Sequence, residues 1–168
     1  MTPADYLASL GAVYIFAVAW PLSHIDIREH RLPNRLVLPA FPIAIFGLAT
    51  GALIGNRWPD FAMAVVAAAI SFVCGLLVNR FGSLGMGDVK LIAAMTLAMT
   101  WFSLFAPLIA LVLGFVFAAA VILVQLMRGR TNLQNSIALG PYLLAGFVLT
   151  QMLTWSSYLG GFSPNFLM

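Results

Sequence analysis

Two aspartates, Asp26 and Asp88, are the residues of this sequence best suited to carry out chemistry. The chain of 168 residues has five acidic side chains in all: Asp5, Asp26, Glu29, Asp60 and Asp88. Asp26 follows one long apolar run, and Asp88 follows Gly85-Met86-Gly87 and begins another. Carboxylates within or beside membrane-length apolar segments are rare, and those that occur are usually functional. Two carboxyl groups that share one proton can act together as general base and general acid.

A structural role for Asp88 remains open at this level. A carboxylate at the start of an apolar helix can cap it, because it accepts hydrogen bonds from free backbone N–H groups and interacts favourably with the helix dipole. Asp60, just before the third apolar run, has the same interpretation. Gly85 and Gly87 favour a functional role for Asp88, because they remove side-chain bulk beside it and let the backbone of a bound chain approach.

Asp26 also has simpler interpretations. It can form an exposed ion pair with Arg28 or Arg31, which would contribute only about 0–1 kcal/mol. It can also form a metal site with His24 and His30, although the sequence has no HExxH-type pairing and no other histidine. We therefore predict neither a metal ion nor a cofactor.

The elements that position these residues are predicted to be membrane helices. The sequence is 62% hydrophobic and 8% charged, against about 45–50% and about 25% in soluble domains. Since a span needs roughly 20 apolar residues, an all-α fold of about six spans is expected, in a single transmembrane domain over residues 1–168. The predicted helices run from about Tyr6 to Ser23, Leu36 to Ile54, Phe61 to Val78, Val89 to Phe102, Ala106 to Met127 and Ile137 to Trp155. Cys74, the only cysteine, is predicted to pack as a small core residue.

The basic residues indicate how the helices are oriented. Seven of the eight lie in or beside the first, third and fifth connections: Arg28, Arg31, Arg35, Arg80, Lys90, Arg128 and Arg130. Only Arg57 lies on the other face. Because cytoplasmic connections are enriched in Lys and Arg, this face is predicted to be cytoplasmic and both termini outside. Basic residues placed at the ends of apolar runs also argue against nucleic-acid binding. Asp26 and Asp88 then share the cytoplasmic face.

Three motifs in this order resemble the type IV prepilin peptidase family, whose members are GxGD-type intramembrane aspartic peptidases. Asp26 precedes basic residues and Pro33-Asn34, as the family's first aspartate precedes Pro-Asn. Gly85-Met86-Gly87-Asp88, followed by Lys90, matches its Gly-x-Gly-Asp-x-Lys signature. Leu139-Gly140-Pro141-Tyr142 resembles its late Gly-Pro element, with Leu139 where an aromatic residue is usual. The similarity covers nearly the whole chain.

The resemblance implies an aspartic endopeptidase with Asp26 and Asp88 as its catalytic pair, and it leaves open which one is the acid. The implied substrate is a prepilin or pseudopilin, whose short basic leader is removed at the cytosolic edge of the inner membrane. The implied supporting residues are Gly85, Gly87, Lys90, Pro33, Asn34, Gly140 and Pro141.

The same resemblance distinguishes two branches of the family. Its larger members carry a cytosolic insertion with paired cysteines and also N-methylate the pilin. This sequence has neither feature, so it is similar to the compact, peptidase-only branch that serves Flp/Tad pili. No methyltransferase activity is predicted.

Two alternatives to this interpretation remain. Intramembrane carboxylates also carry protons in transporters, although no ionisable residue marks the middle of any predicted span here. Presenilin-like peptidases share the Gly-x-Gly-Asp motif, but their first aspartate lies in a Tyr-Asp pair inside a span. Here Ile25-Asp26 lies at a predicted helix end.

Overall fold

The computed structural model describes residues 1–29, 31–82, 84–128 and 138–160, and every regular element in these ranges is an α-helix. The helices are α1 (Pro3–Ala8), α2 (Leu10–Glu29), α3 (Asn34–Val37), α4 (Ala40–Gly55), α5 (Trp58–Arg80), α6 (Met86–Thr100), α7 (Ala106–Met127) and α8 (Gly140–Gly160). The all-α prediction is confirmed. Ile137, the predicted start of the last helix, lies outside the described residues.

Four helical segments of the described residues are long and apolar enough to cross a membrane. They are Pro3–Glu29, Asn34–Gly55, Trp58–Arg80 and Ala106–Met127. The shorter α6, with 15 residues, is not among these four, and neither is α8. The chain is therefore a polytopic membrane protein, as predicted. The number of six spans and the outside position of both termini stay predictions.

The first predicted helix ended too early. α2 continues through Ser23 to Glu29, so Asp26 lies inside its last turn rather than beyond the helix. The polar residues that suggested an end have only slightly reduced helix propensity, and no glycine or proline interrupts them before Pro33. Pro33 then precedes α3 with a φ of −69°, and the second span begins at Asn34, two residues earlier than predicted.

α6 is the central helix of the bundle, with ten of its fifteen residues buried. On one side, Leu91, Met95 and Met99 pack with residues of α2, α4, α7 and α8. On the other, Leu97 and Trp101 pack with residues of α1, α4 and α5. The helix that begins next to Asp88 is thus held by two core clusters along its length.

α5 and α7 lie at the outside of the bundle. Apolar side chains such as Ile70 and Val73 on α5, and Val112 and Val116 on α7, are exposed, as expected where a helix faces lipid. Cys74 is exposed on α5 as well, so the predicted core position is wrong. A short apolar thiol is as compatible with lipid as with a protein interior.

Small residues bring the outer helices close to α6 and α8. A Cβ atom at Gly75 of α5 would lie 2.8 Å from Cγ1 of Val89, in the first turn and a half of α6. A Cβ atom at Gly146 of α8 would collide with the backbone of Ala110 and Gly114 in α7. Glycine permits such close packing between membrane helices. These contacts fix the position of the α6 and α8 N-termini.

A polar network holds the opposite end of α6. Asp5 is only 3% exposed, and its carboxylate accepts hydrogen bonds from Arg57 Nη1 (3.0 Å), Trp101 Nε1 (3.1 Å) and the backbone and hydroxyl of Thr2. The Arg57 guanidinium also lies 4.4 Å from the centre of the Trp101 ring. Asp60 was predicted to cap α5, but the N-cap residue of this helix is Arg57. Asp60 accepts a hydrogen bond from Arg57 Nε instead, within the first turn.

Candidate active site

Asp26 is positioned by the last turn of α2 and by the N-terminus of α8. Its side chain is buried, with 5% exposed, so the exposed ion pair considered from the sequence is wrong. The backbone N–H of Gly140 donates a hydrogen bond to Oδ2 of Asp26 at 3.0 Å. Gly140 is the first residue of α8, where backbone N–H groups have no partner within the helix. The positive end of the α8 dipole therefore points at this carboxylate.

Glycine at position 140 leaves room for this contact. A Cβ atom there would lie 2.7 Å from Oδ2 of Asp26, closer than real Cβ contacts, and 3.1 Å from Cδ2 of Leu32, so both side chains would have to shift. Pro141 follows in the first turn of α8, where its missing N–H group costs no helical hydrogen bond. The Gly-Pro motif thus builds a helix start that a carboxylate can approach.

Asp88 is positioned by the first turn of its own helix. It is the third residue of α6, and the backbone N–H of Gly85 donates a hydrogen bond to its carboxylate. This is one half of a capping box. The N-cap residue is Gly85, so Asp88 is not the N-cap considered from the sequence; it interacts with the helix start from the third helical position. Oδ1 of Asp88 is buried and has no hydrogen-bond partner among the described residues.

The proton affinity of Asp88 is shifted by its surroundings. Burial, together with the nearby charge of Asp26, raises the pKa of Asp88 to about 6, against a smaller lowering by the Gly85 hydrogen bond. Asp88 lies outside the four segments that are long enough to cross the membrane. The two carboxyl groups are thus near enough for the charge of Asp26 to disfavour ionisation of Asp88.

Gly85 and Gly87 were predicted to leave open space beside Asp88 for a bound backbone. The structure shows no such space at either glycine. A Cβ atom at Gly87 would lie 2.8 Å from Cβ of Leu32, and one at Gly85 would lie 2.9 Å from Oδ2 of Asp88. Leu32 and the Asp88 carboxylate already fill these spaces. The glycines therefore let protein groups pack tightly around Asp88 and leave the approach of a substrate to the neighbouring cavity.

A cavity of about 310 Å³ joins the two aspartates. It is lined by Asp26, Arg31, Leu32, Asn34, Gly85, Met86, Gly87, Asp88 and Lys90. Most of the residues named from the sequence motifs are in this set. Gly140 contacts Asp26 without lining the cavity, and Pro33 directly precedes α3. The structure thus brings together all three motifs.

Lys90 links two of the motifs directly. Its Nζ atom donates a hydrogen bond to Oδ1 of Asn34 at 2.9 Å. Lys90 is on the second turn of α6 and Asn34 is the first residue of α3, so this bond ties the Pro-Asn segment to the helix that carries Asp88.

Two residues of the site were missed by sequence analysis. Leu32 lines the cavity and lies against Gly87 and Gly140, and its position directly before Pro33-Asn34 was the only available signal. Asn79 donates a hydrogen bond from Nδ2 to the carbonyl oxygen of Leu84 at 2.6 Å. This bond spans the turn at Gly82, whose φ of +74° suits glycine, and it holds the segment that leads into Asp88.

The metal alternative would need a cluster of ligating side chains around Asp26. Among the residues that the structure describes, no three histidine, cysteine, aspartate or glutamate side chains form a group that could hold a metal ion. His30, one member of the alternative set, lies outside the described residues.

Comparison with known proteins gives the same family as the motifs. Residues 12–168 match the type IV leader peptidase family. A prepilin leader peptidase/N-methyltransferase of Burkholderia pseudomallei (strain 1026b) is 32% identical over 154 residues, which is 85% of this chain and 46% of that protein. The protein of the same name from Dickeya chrysanthemi is 30% identical over 164 residues, 89% of this chain and 54% of that protein.

A shorter similarity links the chain to leader peptidase HopD of Escherichia coli, 39% identical over 79 residues, or 46% of this chain and 47% of HopD. The chain spans about half the length of these three curated relatives. No solved structure matches it with significance. Because the family match extends over residues 12–168, this protein belongs to the type IV leader peptidase family.

Proposed function

We propose that the chain is an aspartic endopeptidase that removes the leader of prepilin-like proteins, with Asp26 and Asp88 as its catalytic residues. The observation that supports this most directly is the shared cavity. Two carboxyl groups from α2 and α6 line it together, and the charge of one raises the pKa of the other. Such a pair holds one proton between two groups, which is the state that aspartic proteolysis requires.

The surroundings of the two aspartates differ, and the difference suggests their roles. Asp26 accepts the Gly140 N–H at the start of α8, and a hydrogen-bond donor of this kind stabilises the ionised carboxylate. Asp88 has one buried oxygen without a partner among the described residues, and its pKa is raised by burial. We assign Asp26 as the general base and Asp88 as the general acid.

The reaction follows from these assignments. Asp26 takes a proton from a water molecule while the oxygen of that water attacks the scissile carbonyl carbon. At the same time Asp88 gives its proton to the carbonyl oxygen. The resulting diol then collapses. The C–N bond breaks, the leaving amine takes the proton from Asp26, and Asp88 recovers a proton from one diol hydroxyl. Both carboxyl groups are back in their starting states.

The proposed substrate is a prepilin or pseudopilin with a basic leader followed by an apolar helix. The relatives named as prepilin leader peptidases support this class. The basic connections on the same face as Asp26 and Asp88 support an active site that faces the cytoplasm, in a six-span inner-membrane domain over residues 1–168. A leader-helix junction would lie at that membrane edge.

We confine the proposal to hydrolysis and propose no methyl transfer. Two of the relatives carry N-methyltransferase in their names, so the two activities need separate assays. A purified enzyme that cleaves a prepilin but transfers no labelled methyl group from S-adenosylmethionine agrees with the proposal. Methylation of the cleaved pilin by this chain alone would contradict it.

The test of the peptidase is cleavage of a purified prepilin by the purified enzyme in proteoliposomes. Asp26→Asn and Asp88→Asn each keep the shape of the side chain, and we expect each to lower kcat/KM by about 10²–10⁴-fold or more, because each removes one proton-transfer group. Glu29→Gln is the matched control, since Glu29 is an exposed acid in the same turn as Asp26.

Three outcomes would contradict the proposal. Cleavage at the wild-type rate by either Asp→Asn variant would exclude the aspartate pair. Loss of cleavage on adding EDTA, with recovery on adding zinc, would point to the metal alternative. An enzyme that fails to cleave but conducts protons across the vesicle membrane would favour the transporter alternative.

A further inference from the structure

Leu32 occupies the space between the two helix starts that carry the active site. Its Cβ atom lies against Gly87 of α6, where an added Cβ would be only 2.8 Å away. Its Cδ2 atom lies against Gly140 of α8, where an added Cβ would be 3.1 Å away. One leucine side chain therefore contacts the turn that holds Asp88 and the backbone group that holds Asp26.

The segment that follows Leu32 is held by two hydrogen bonds. The Asn34 side chain accepts the hydrogen bond from Lys90 Nζ at 2.9 Å. Slightly further on, the hydroxyl of Tyr14 in α2 donates to the carbonyl oxygen of Leu36 at 3.0 Å. Leu32 itself packs against the core cluster of α2, α6 and α8 and also lines the cavity. Neither helix start can move towards the other without displacing it.

We propose that Leu32 is a positioning residue that sets the separation of Asp26 and Asp88. It contacts neither the scissile bond nor the water in the proposed reaction. It acts by filling the gap that two motif glycines leave, so that the two carboxyl groups keep their separation across the cavity. This inference rests on the proposed peptidase function.

The prediction is a selective loss of turnover when the side chain is shortened. A displacement of about 1 Å in a catalytic group can lower a rate by about 10²-fold. We therefore expect Leu32→Ala to lower kcat for prepilin cleavage by about 10–100-fold while KM changes little. Leu32→Met has nearly the same volume and should recover most of the lost kcat.

The matched control is Leu36→Ala. Leu36 is also half-buried against the same core cluster, but it does not line the cavity. If Leu32 acts only through general packing, the two alanine variants should lose stability and kcat in parallel. If it positions the aspartates, only Leu32→Ala should lose kcat when rates are normalised to folded enzyme in proteoliposomes.

Failure of this inference and failure of the proposed function give different results. Wild-type cleavage that depends on Asp26, together with an unchanged kcat for Leu32→Ala, overturns the positioning role alone. A Leu32→Met variant as slow as Leu32→Ala also overturns it, because side-chain volume would then not be the controlling property. A wild-type enzyme that cleaves no prepilin, or cleaves it equally well as Asp26→Asn, overturns the proposed function itself.

Discussion

Replacing Gly140 by alanine tests the geometry of Asp26 without removing any reacting group. The new Cβ atom would lie 2.7 Å from Oδ2 of Asp26, whereas ordinary contacts begin at 3.4 Å. Either the carboxylate or the start of α8 must move by roughly 0.7 Å, and a shift of this size in a catalytic group costs about 10–100-fold in rate. We expect kcat/KM to fall by that factor, and Asp26→Asn to be slower still.

The stability of this variant should fall only slightly. Alanine is favoured over glycine in a helix by about 1 kcal/mol, which offsets part of the clash. The assay is cleavage of purified prepilin, with thermal unfolding in the same detergent to confirm folding. A Gly140→Ala enzyme within about twofold of wild type, when tenfold or more is expected, would refute the role given to this contact.

Two further predictions concern Asp88 and Asp5. Because the pKa of Asp88 is raised to about 6 and its acid form is needed, kcat/KM should fall about tenfold per pH unit above about pH 6; a rate that still rises at pH 8 would contradict this. Since that pKa exceeds the ordinary 3.8, stability should fall as pH rises from about 4 to about 6, and thermal unfolding of Asp88→Asn should lack this slope. Asp5→Ala leaves Arg57 and Trp101 without their shared acceptor and should lower the free energy of unfolding by about 2–4 kcal/mol. Asp60→Asn affects a half-exposed pair and should cost less than about 1 kcal/mol, so equal losses would be the contrary result.

Hydrophobic runs predicted most of the fold because each helix of a membrane protein must satisfy its own backbone hydrogen bonds. The predicted range Ala106–Met127 agrees with α7 at both ends. The prediction failed where polar residues continue a helix, as between Ser23 and Glu29. At such a place the helix continues beyond the end of the apolar run, and only a helix-breaking residue marks where the helix ends.

The candidate site was predictable in its ionisable residues but not in its packing. Asp26 and Asp88 stand out because charge is rare in this sequence. Leu32 does not stand out, because a leucine among many acquires its role only when α6 and α8 meet around it. Asp5 was passed over for a similar reason, since its partners Arg57 and Trp101 are distant in the chain.

The arrangement of helix ends explains why the site needs a motif from the last helix. Asp88 lies in the first turn of α6, where the positive end of the helix dipole favours a negative charge on the carboxyl group. Asp26 lies in the last turn of α2, where the dipole of its own helix disfavours a negative charge. The N-terminus of α8 corrects this, because Gly140 presents a free N–H to Asp26. Each aspartate thus has its own glycine at a helix start, Gly85 for Asp88 and Gly140 for Asp26. The Gly140 hydrogen bond favours the ionised form of Asp26, which suits the proposed base. Burial and the charge of Asp26 outweigh the Gly85 hydrogen bond and raise the pKa of Asp88, which suits the proposed acid.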